Sequence, residues 1–164
     1  MPRNNKHIDN ICSPMQAAAC HTPHVAHAWK PGLRAIKNVE RQKFVIKKGN
    51  NIDGSIDIDA ATKELYPNDY RWDYAIGVNG RVFFVEIHPA TESEVDTVIC
   101  KLKWLKQWLN NNAPLIKALQ HPIAPFFWLF TNRNMIPKNS KKLRALAQNG
   151  IPQPTLQWHY EQIN

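Results

Sequence analysis

Hydrophobic positions recur with helical spacing near the start of what we expect to be the folded region. From Leu33 to Phe44 apolar residues, with Glu40 among them, recur at intervals of three and four, and Pro31 suits the first turn of a helix. The pattern predicts a helix over about residues 31–44. Residues 1–28 show neither helical nor strand periodicity, so we interpret them as a flexible or loosely ordered N-terminal segment. Residues 29–164 are then expected to form a single domain.

A β-hairpin is the clearest local prediction. Segments 71–78 and 81–88 are rich in Val, Ile and Phe and flank Asn79-Gly80, the strongest short-range hairpin signal. Their apolar residues form nearly continuous runs, which predicts that both faces of the hairpin are covered. The alternating segment 55–59 predicts a further strand before them.

A long helix is expected after the hairpin, because Thr91-Glu-Ser-Glu94 has capping-box spacing and apolar residues then recur with helical periodicity to about Asn110. A short helical piece at 115–120, a strand at 124–131, a helix at 140–148 capped by Ser140 and a strand at 155–160 are expected after it. This order predicts an α/β fold with a mixed central sheet and helices on both faces.

Composition narrows the choice of partner more than the choice of fold. The 164 residues include 21 Lys and Arg against 13 Asp and Glu, a formal net charge of +8, which favours a polyanionic partner such as nucleic acid. The chain has neither an apolar run long enough to span a membrane nor the apolar core of a signal peptide. We therefore expect a cytoplasmic protein with no membrane partner.

Five potential zinc ligands lie near the start of the chain: Cys12, Cys20, His21, His24 and His27. The gap between the two cysteines is wider than in the tight pairs of closed zinc sites, and Pro23 interrupts a helix that would align the histidines. A zinc-stabilised interaction protein is therefore kept as an alternative hypothesis.

Two carboxylates are expected to face each other across the hairpin. A tight Asn79-Gly80 loop pairs the residues that flank it and, five residues further along each strand, pairs Asp73 with Glu86. Directly opposed side chains lie about 5 Å apart at Cβ, where two like charges destabilise a sheet unless a cation compensates them. His88 points to the same face as Glu86 because it lies two residues further on. Glu40 falls within the apolar stripe of the predicted first helix and is expected to face the same site.

Three carboxylates and one imidazole form a hard-oxygen site suited to Mg²⁺ or Mn²⁺. Each acid also has a simpler interpretation, since Asp73 could pair with Arg71 while Glu86 pairs with Lys101 or Lys103.

With these residues identified, the chain resembles the PD-(D/E)XK nuclease superfamily, the restriction-endonuclease-like phosphodiesterases. The order of that core is helix, three strands, helix, strand, with an acid on the second strand and acid-x-Lys on the third. Asp73 and Glu86-Ile-His88 match these motifs, Glu40 matches the first-helix acid, and the resemblance covers roughly residues 31–131. It implies a divalent-metal-dependent nuclease in which Asp73, Glu86 and Glu40 hold Mg²⁺ or Mn²⁺, with DNA favoured over RNA.

One departure from the family pattern bears on catalysis. His88 stands where the family usually has lysine, which orients or activates the attacking water, so this chain is a Glu-x-His variant. In some members the following helix contributes that lysine; Lys101 is then the best candidate and Lys106 the second. The catalytic residues implied are Asp73, Glu86, His88 and Lys101.

The basic surplus offers phosphate contacts on the later helices: Lys101, Lys103, Lys106, Lys138, Lys141, Lys142 and Arg144. Trp104 and Trp108, four residues apart, could supply stacking surface or simply pack. The rival hypothesis is a nuclease-fold module that has lost catalysis and binds nucleic acid or a protein partner. A homodimer is left open.

Overall fold

The computed structural model describes residues 12–163. The helices are α1 (Pro14–Cys20), α2 (Ile58–Thr62), α3 (Glu94–Asn111), α4 (Pro114–Ala118) and α5 (Lys141–Gln148). The strands are β1 (Trp29–Lys30), β2 (Phe44–Val45), β3 (Ile52–Asp57), β4 (Tyr74–Val78), β5 (Arg81–Ile87), β6 (Phe126–Leu129) and β7 (Trp158–His159). Short 3₁₀ helices span Asn38–Lys43 and Tyr160–Gln162.

A mixed five-stranded sheet forms the centre of the molecule, in the order β1-β3-β4-β5-β6. Neighbouring strands are antiparallel except β5 and β6, which are parallel and joined through α3 and α4. A second sheet of two parallel strands pairs β2 with β7. The predicted α/β fold with a mixed sheet is confirmed.

The hairpin has the predicted register. Asn79 and Gly80 have φ values of 50° and 77°, and this pair of left-handed residues is what a two-residue type I′ loop requires. Val78 pairs with Arg81, and the pairing continues without a bulge to Tyr74 and Val85.

The two faces of the large sheet are covered differently. Ala75 and Phe84 point to a face on which all five described α-helices bury residues, here called the helical face. Tyr74 and Val85 point to the opposite face, which packs against β2, β7 and the turns before them. The prediction that both faces are covered is confirmed. The prediction of helices on both faces is wrong for the α-helices of residues 12–163, since the opposite face carries a short 3₁₀ helix, Tyr160–Gln162, instead.

The predicted helix over 31–44 is also wrong. This segment forms successive turns and then the 3₁₀ helix Asn38–Lys43. Gly32 has a left-handed φ of 59°, which interrupts helical geometry near the expected start. Val39, which belongs to the expected apolar stripe, is 75% exposed.

The described part of the N-terminal segment is not loosely ordered. Ser13 caps α1 by accepting a hydrogen bond from Gln16 N, and Met15, Ala18 and Ala19 are buried in the core. The expectation for residues 1–28 is therefore wrong from residue 12 onward, and residues 1–11 lie outside the described residues.

Two details at helix starts differ in outcome. The capping box at Thr91 is wrong, because α3 begins after Ser93 and no side chain of the described residues caps it. The cap at Ser140 is confirmed, since its hydroxyl accepts a hydrogen bond from Lys142 N. No helix within residues 12–163 is long and apolar enough to cross a membrane.

Candidate active site

Asp73 and Glu86 are held against each other by the backbone of the hairpin. Asp73 immediately precedes β4, and Glu86 is the second-last residue of β5. Asp73 N donates to Glu86 Oε2 at 3.1 Å, and Ile87 N donates to Asp73 Oδ2 at 2.9 Å. Each carboxylate therefore binds a main-chain N–H of the other strand with one oxygen, which leaves its second oxygen free of backbone hydrogen bonds.

Lys101 of α3 lies where the two free oxygens converge. Its Nζ is 3.3 Å from Asp73 Oδ1 and forms a second ion pair with Glu86 Oε1. The Glu86 side chain is fully buried, whereas 15% of the Lys101 side chain and 21% of the Asp73 side chain are exposed. Lys101 reaches the pair because it flanks the buried stripe of α3, which packs on the helical face. One ammonium thus partly neutralises two opposed carboxylates.

Burial dominates the protonation behaviour of this cluster. It raises the pKa of Glu86 well above 4.5, and the neighbouring Asp73 charge raises it further, while Lys101 opposes both effects. Burial also raises the pKa of Asp73, against the lowering effect of Lys101 and the Ile87 N–H bond. Burial lowers the pKa of Lys101, but the two carboxylates more than offset it and the net shift is upward.

His88 is oriented by an acid whose spacing in the sequence predicts a different role. His88 Nε2 lies 2.6 Å from Glu94 Oε2, and its Nδ1 lies 3.8 Å from Glu86 Oε1. A capping box would direct the Glu94 side chain to the backbone N–H of Thr91, so that interpretation does not predict the contact with His88. The position of Glu94 in the first turn of α3, the helix that follows β5, was the available signal, since that turn lies beside the strand end.

Glu40 lies on the other side of the sheet. It accepts a hydrogen bond from the Tyr74 hydroxyl at 2.6 Å, and Tyr74 belongs to the cluster on the opposite face. Burial, followed by the adjacent Glu40, raises the pKa of Tyr74. The expected convergence of Glu40 with Asp73 and Glu86 is wrong, because the helix that would have oriented it does not form.

The remaining donor set is small but chemically suitable for a hard cation. Within residues 12–163, no group of three or more His, Cys, Asp or Glu side chains is arranged to hold a metal ion. Mg²⁺, however, usually binds through only one or two carboxylates and keeps several waters. The convergent oxygens of Asp73 and Glu86 fit that requirement, provided that Lys101 gives up its contacts with them.

The alternative zinc ligands do not come together. Cys12 and Cys20 are exposed, His21 Nδ1 lies 2.8 Å from Ala17 O, and His24 Nδ1 accepts a hydrogen bond from Trp108 Nε1. These contacts anchor the N-terminal segment to itself and to α3.

The candidate phosphate contacts differ in availability. Lys103, Lys141 and Arg144 are exposed, whereas Lys142 forms an ion pair with Asp96. Lys106 Nζ lies 5.3 Å from the centroid of the Phe126 ring and does not contact the acids, so Lys101 is the lysine of α3 that reaches the site. Lys138 and Arg144 line an open cavity of about 590 Å³ beside α5.

Trp104 and Trp108 stack on each other, with ring centroids 6.0 Å apart. Trp108 is buried, and Trp104 Nε1 donates to Asp69 Oδ2. Packing therefore accounts for this pair.

No model of a known protein family, no curated protein and no solved structure matches the chain. The arrangement of side chains around Asp73 and Glu86 is the feature of the molecule that bears on its function.

Proposed function

We propose that the protein is a divalent-metal-dependent nuclease that hydrolyses nucleic-acid phosphodiester bonds, with DNA favoured over RNA. One observation carries the proposal: Asp73 and Glu86, from adjacent strands, direct one carboxylate oxygen each at the same cation. Opposed acids in a buried setting destabilise a sheet. Two carboxylates whose oxygens converge on one cation position can hold a divalent metal for phosphoryl chemistry.

The order of elements supports a restriction-endonuclease-like core. The antiparallel strands β3, β4 and β5 are followed by α3 and by β6, which is parallel to β5. This matches three strands, a helix and a strand of the family pattern. The first helix of that pattern has no counterpart at residues 31–44, and α1 is the helix that precedes the strands here.

The roles of the residues follow from their contacts. Asp73 and Glu86 would hold Mg²⁺ or Mn²⁺, which supplies Lewis-acid stabilisation of the phosphate and lowers the pKa of a water nucleophile. Lys101 would exchange its carboxylate contacts for a phosphate oxygen, where its N–H donors stabilise developing negative charge. His88, with its ring oriented by Glu94, would position the attacking water and accept its proton.

The net charge of +8 supports a nucleic-acid substrate. Lys103, Lys141 and Arg144 are exposed and have no ion-pair partner within the described residues. Cations of this kind bind phosphates regardless of sequence and set the register of the backbone.

The test is cleavage of plasmid DNA and of single-stranded DNA and RNA, with Mg²⁺ or Mn²⁺ supplied in turn. Asp73→Asn and Glu86→Gln keep side-chain size and should abolish cleavage, and Lys101→Met should reduce it by about 10²-fold or more, in the range of a positioned catalytic side chain. Asp96→Asn is the matched control, because this acid lies on the same helix as Lys101 but pairs with Lys142. Absence of cleavage by the wild-type protein in both metals, or full activity of the Asp73 and Glu86 variants, would contradict the proposal.

A catalytically inactive nuclease-fold module that binds nucleic acid or a protein partner is the second candidate. The observation that favours it is that the proposed catalytic groups bind one another: Lys101 forms ion pairs with both carboxylates, and His88 is paired with Glu94. This candidate predicts metal-independent binding of nucleic acid, no cleavage, and no change in binding on Asp73→Asn or Glu86→Gln.

A further inference from the structure

Tyr70 differs from every other aromatic residue of the described chain in its exposure. The protein has six Trp, four Tyr and six Phe, and Tyr70, at 55%, is the one exposed aromatic residue among residues 12–163. Its ring pairs with no other described ring, and its hydroxyl makes no hydrogen bond within the described residues. A chain that buries its other aromatic residues wholly or partly thus leaves one tyrosine free.

The loop that carries Tyr70 is held in place by its neighbour. Arg71 donates from one guanidinium nitrogen to the carbonyl oxygens of Tyr66 and Pro67, at 2.6 and 3.2 Å. Its Nε binds Asp59 at 2.9 Å. Tyr70 is therefore presented by a braced loop, so binding a ligand against its ring requires little additional ordering.

The same loop lies beside the proposed active site. Tyr70 precedes Asp73 by three residues, so their Cα atoms are at most about 11 Å apart. Asp69 accepts a hydrogen bond from Trp104, which lies one helical turn after Lys101 on α3. Tyr70 is thus on the loop that leads directly into the residues proposed to hold the scissile phosphate.

We propose that Tyr70 stacks against an unpaired base adjacent to the scissile phosphate, so that the preferred substrate is single-stranded nucleic acid. The inference rests on the proposed nuclease function for the position of the scissile phosphate, but stacking of a base on Tyr70 does not require catalysis. An exposed aromatic ring binds any unpaired base through its π-face. Inside a duplex, each base is already stacked on its neighbours, so the ring offers little to double-stranded substrates.

The experiment measures binding and cleavage separately in the full-length protein. Fluorescence anisotropy with a labelled single-stranded oligonucleotide, and with the same sequence as a blunt duplex, gives Kd values for wild type and Tyr70→Ala, Tyr70→Phe and Tyr70→Trp. Leu115→Ala is the control, because Leu115 on α4 is 49% exposed and lies on an element distant in sequence from the site. Cleavage of both substrates with Mg²⁺ is measured in parallel.

Tyr70→Ala should weaken single-strand binding by about tenfold, within the range of one base–aromatic stack. Tyr70→Phe and Tyr70→Trp should retain it, and duplex binding and the Leu115→Ala control should be unchanged. An equal loss for the two substrates, no loss, or no single-strand binding by wild type would overturn the stacking role. The expected binding pattern without cleavage by the wild type would retain the stacking role and contradict the nuclease proposal alone.

Discussion

At the scale of single residues, the most consequential arrangement is one lysine shared by two acids. Lys101 contacts the free oxygen of Asp73 and that of Glu86, so the cluster carries one uncompensated negative charge when all three groups are ionised. Glu86 is fully buried, and burial disfavours its charged form. The site is therefore poised to take up either a proton or a further cation.

The raised pKa of Glu86 predicts how the stability of the metal-free protein changes with pH. Because the folded protein retains a proton that the unfolded chain loses near 4.5, stability should fall as the pH rises from 4.5 through the raised pKa. Glu86→Gln should flatten this decrease and make the protein more stable near neutral pH. Urea unfolding at a series of pH values measures the effect.

Glu161 provides a control of opposite sign. The Lys47 N–H bond lowers the pKa of this half-buried acid, so its stabilising contribution is present above the ordinary pKa and is lost as the pH falls. Glu161→Gln should therefore lower stability near neutral pH rather than raise it. A pH profile of Glu86→Gln that matches wild type would show that Glu86 titrates alike in the folded and unfolded chains.

Lys101→Met tests the cation position without relying on activity. Removing the partner of buried carboxylates should lower the free energy of unfolding by about 3 kcal/mol. Added Mg²⁺ should raise the Tm of this variant more than that of wild type, because the metal no longer competes with the ammonium. Lys106→Met is the control, since Lys106 contacts Asn149 O and the Phe126 ring instead. Equal Mg²⁺ responses in the two variants would count against metal binding at Asp73 and Glu86.

At the scale of elements, the features that could be predicted from the amino-acid sequence were local. The hairpin depends on Asn79-Gly80 and on apolar runs directly beside it, so the opposition of Asp73 and Glu86 follows from residue spacing alone. Lys101 could be ranked before Lys106 because it lies nearer the start of α3; helical angles place Lys101 at the flank of the buried stripe and Lys106 within it. The strand 124–131 and the helix 140–148 were also expected, and β6 and α5 lie within those bounds.

The errors fall where tertiary contacts decide the local structure. Helix α1 has seven residues, too few to show a helical period, and it is stabilised by burying Met15 and Ala19. The spacing of Leu33 and Ile36 is compatible with both turns and a helix. Gly32 has a left-handed φ, which favours turns at this point of the chain. Because Glu40 was placed by the helical angles of that segment, its predicted position on the helical face was also wrong. Glu94 and His88 meet only because α3 begins beside the end of β5, which spacing alone does not reveal.

Helix α1, which the sequence pattern did not predict, approaches β4 closely, and this contact can be tested. A Cβ at Gly77 would lie 2.6 Å from Met15 Sδ and 2.9 Å from Asp53 Cβ, so Gly77→Ala should lower the free energy of unfolding by about 1–3 kcal/mol. Met15→Ala removes the nearer obstruction while creating a cavity of its own. In urea unfolding, the double variant should lose less stability than the two single variants together. Strict additivity would indicate that Met15 does not pack on Gly77.

At the scale of the whole molecule, the positive charge is unevenly available. Lys142 is neutralised by Asp96, and Lys106 lies over the Phe126 ring, whereas Lys141 and Arg144 are exposed on the same helix, α5. The net charge of +8 therefore does not give the number of cations that are free to contact phosphates from this part of the surface.

This difference predicts the salt dependence of nucleic-acid binding. Arg144→Ala should weaken binding about equally for all sequences and reduce the slope of log K against log salt by about 1. Lys142→Ala should change the slope less, because its charge is already paired with Asp96. Anisotropy titrations over a range of KCl concentrations measure both slopes. Equal slopes for the two variants would place the bound strand away from Arg144 or show that the Lys142 pair opens on binding.

The type I′ loop at Asn79-Gly80 also limits where the length of the chain can change. Asp73 and Glu86 face each other because the residues between them form one uninterrupted register. One residue inserted within β5 would turn Glu86 to the face that carries Tyr74, and two residues would move it about 7 Å along the strand. In proteins that share this pair of acids and this hairpin, insertions and deletions should therefore occur only outside the segment that corresponds to residues 73–86.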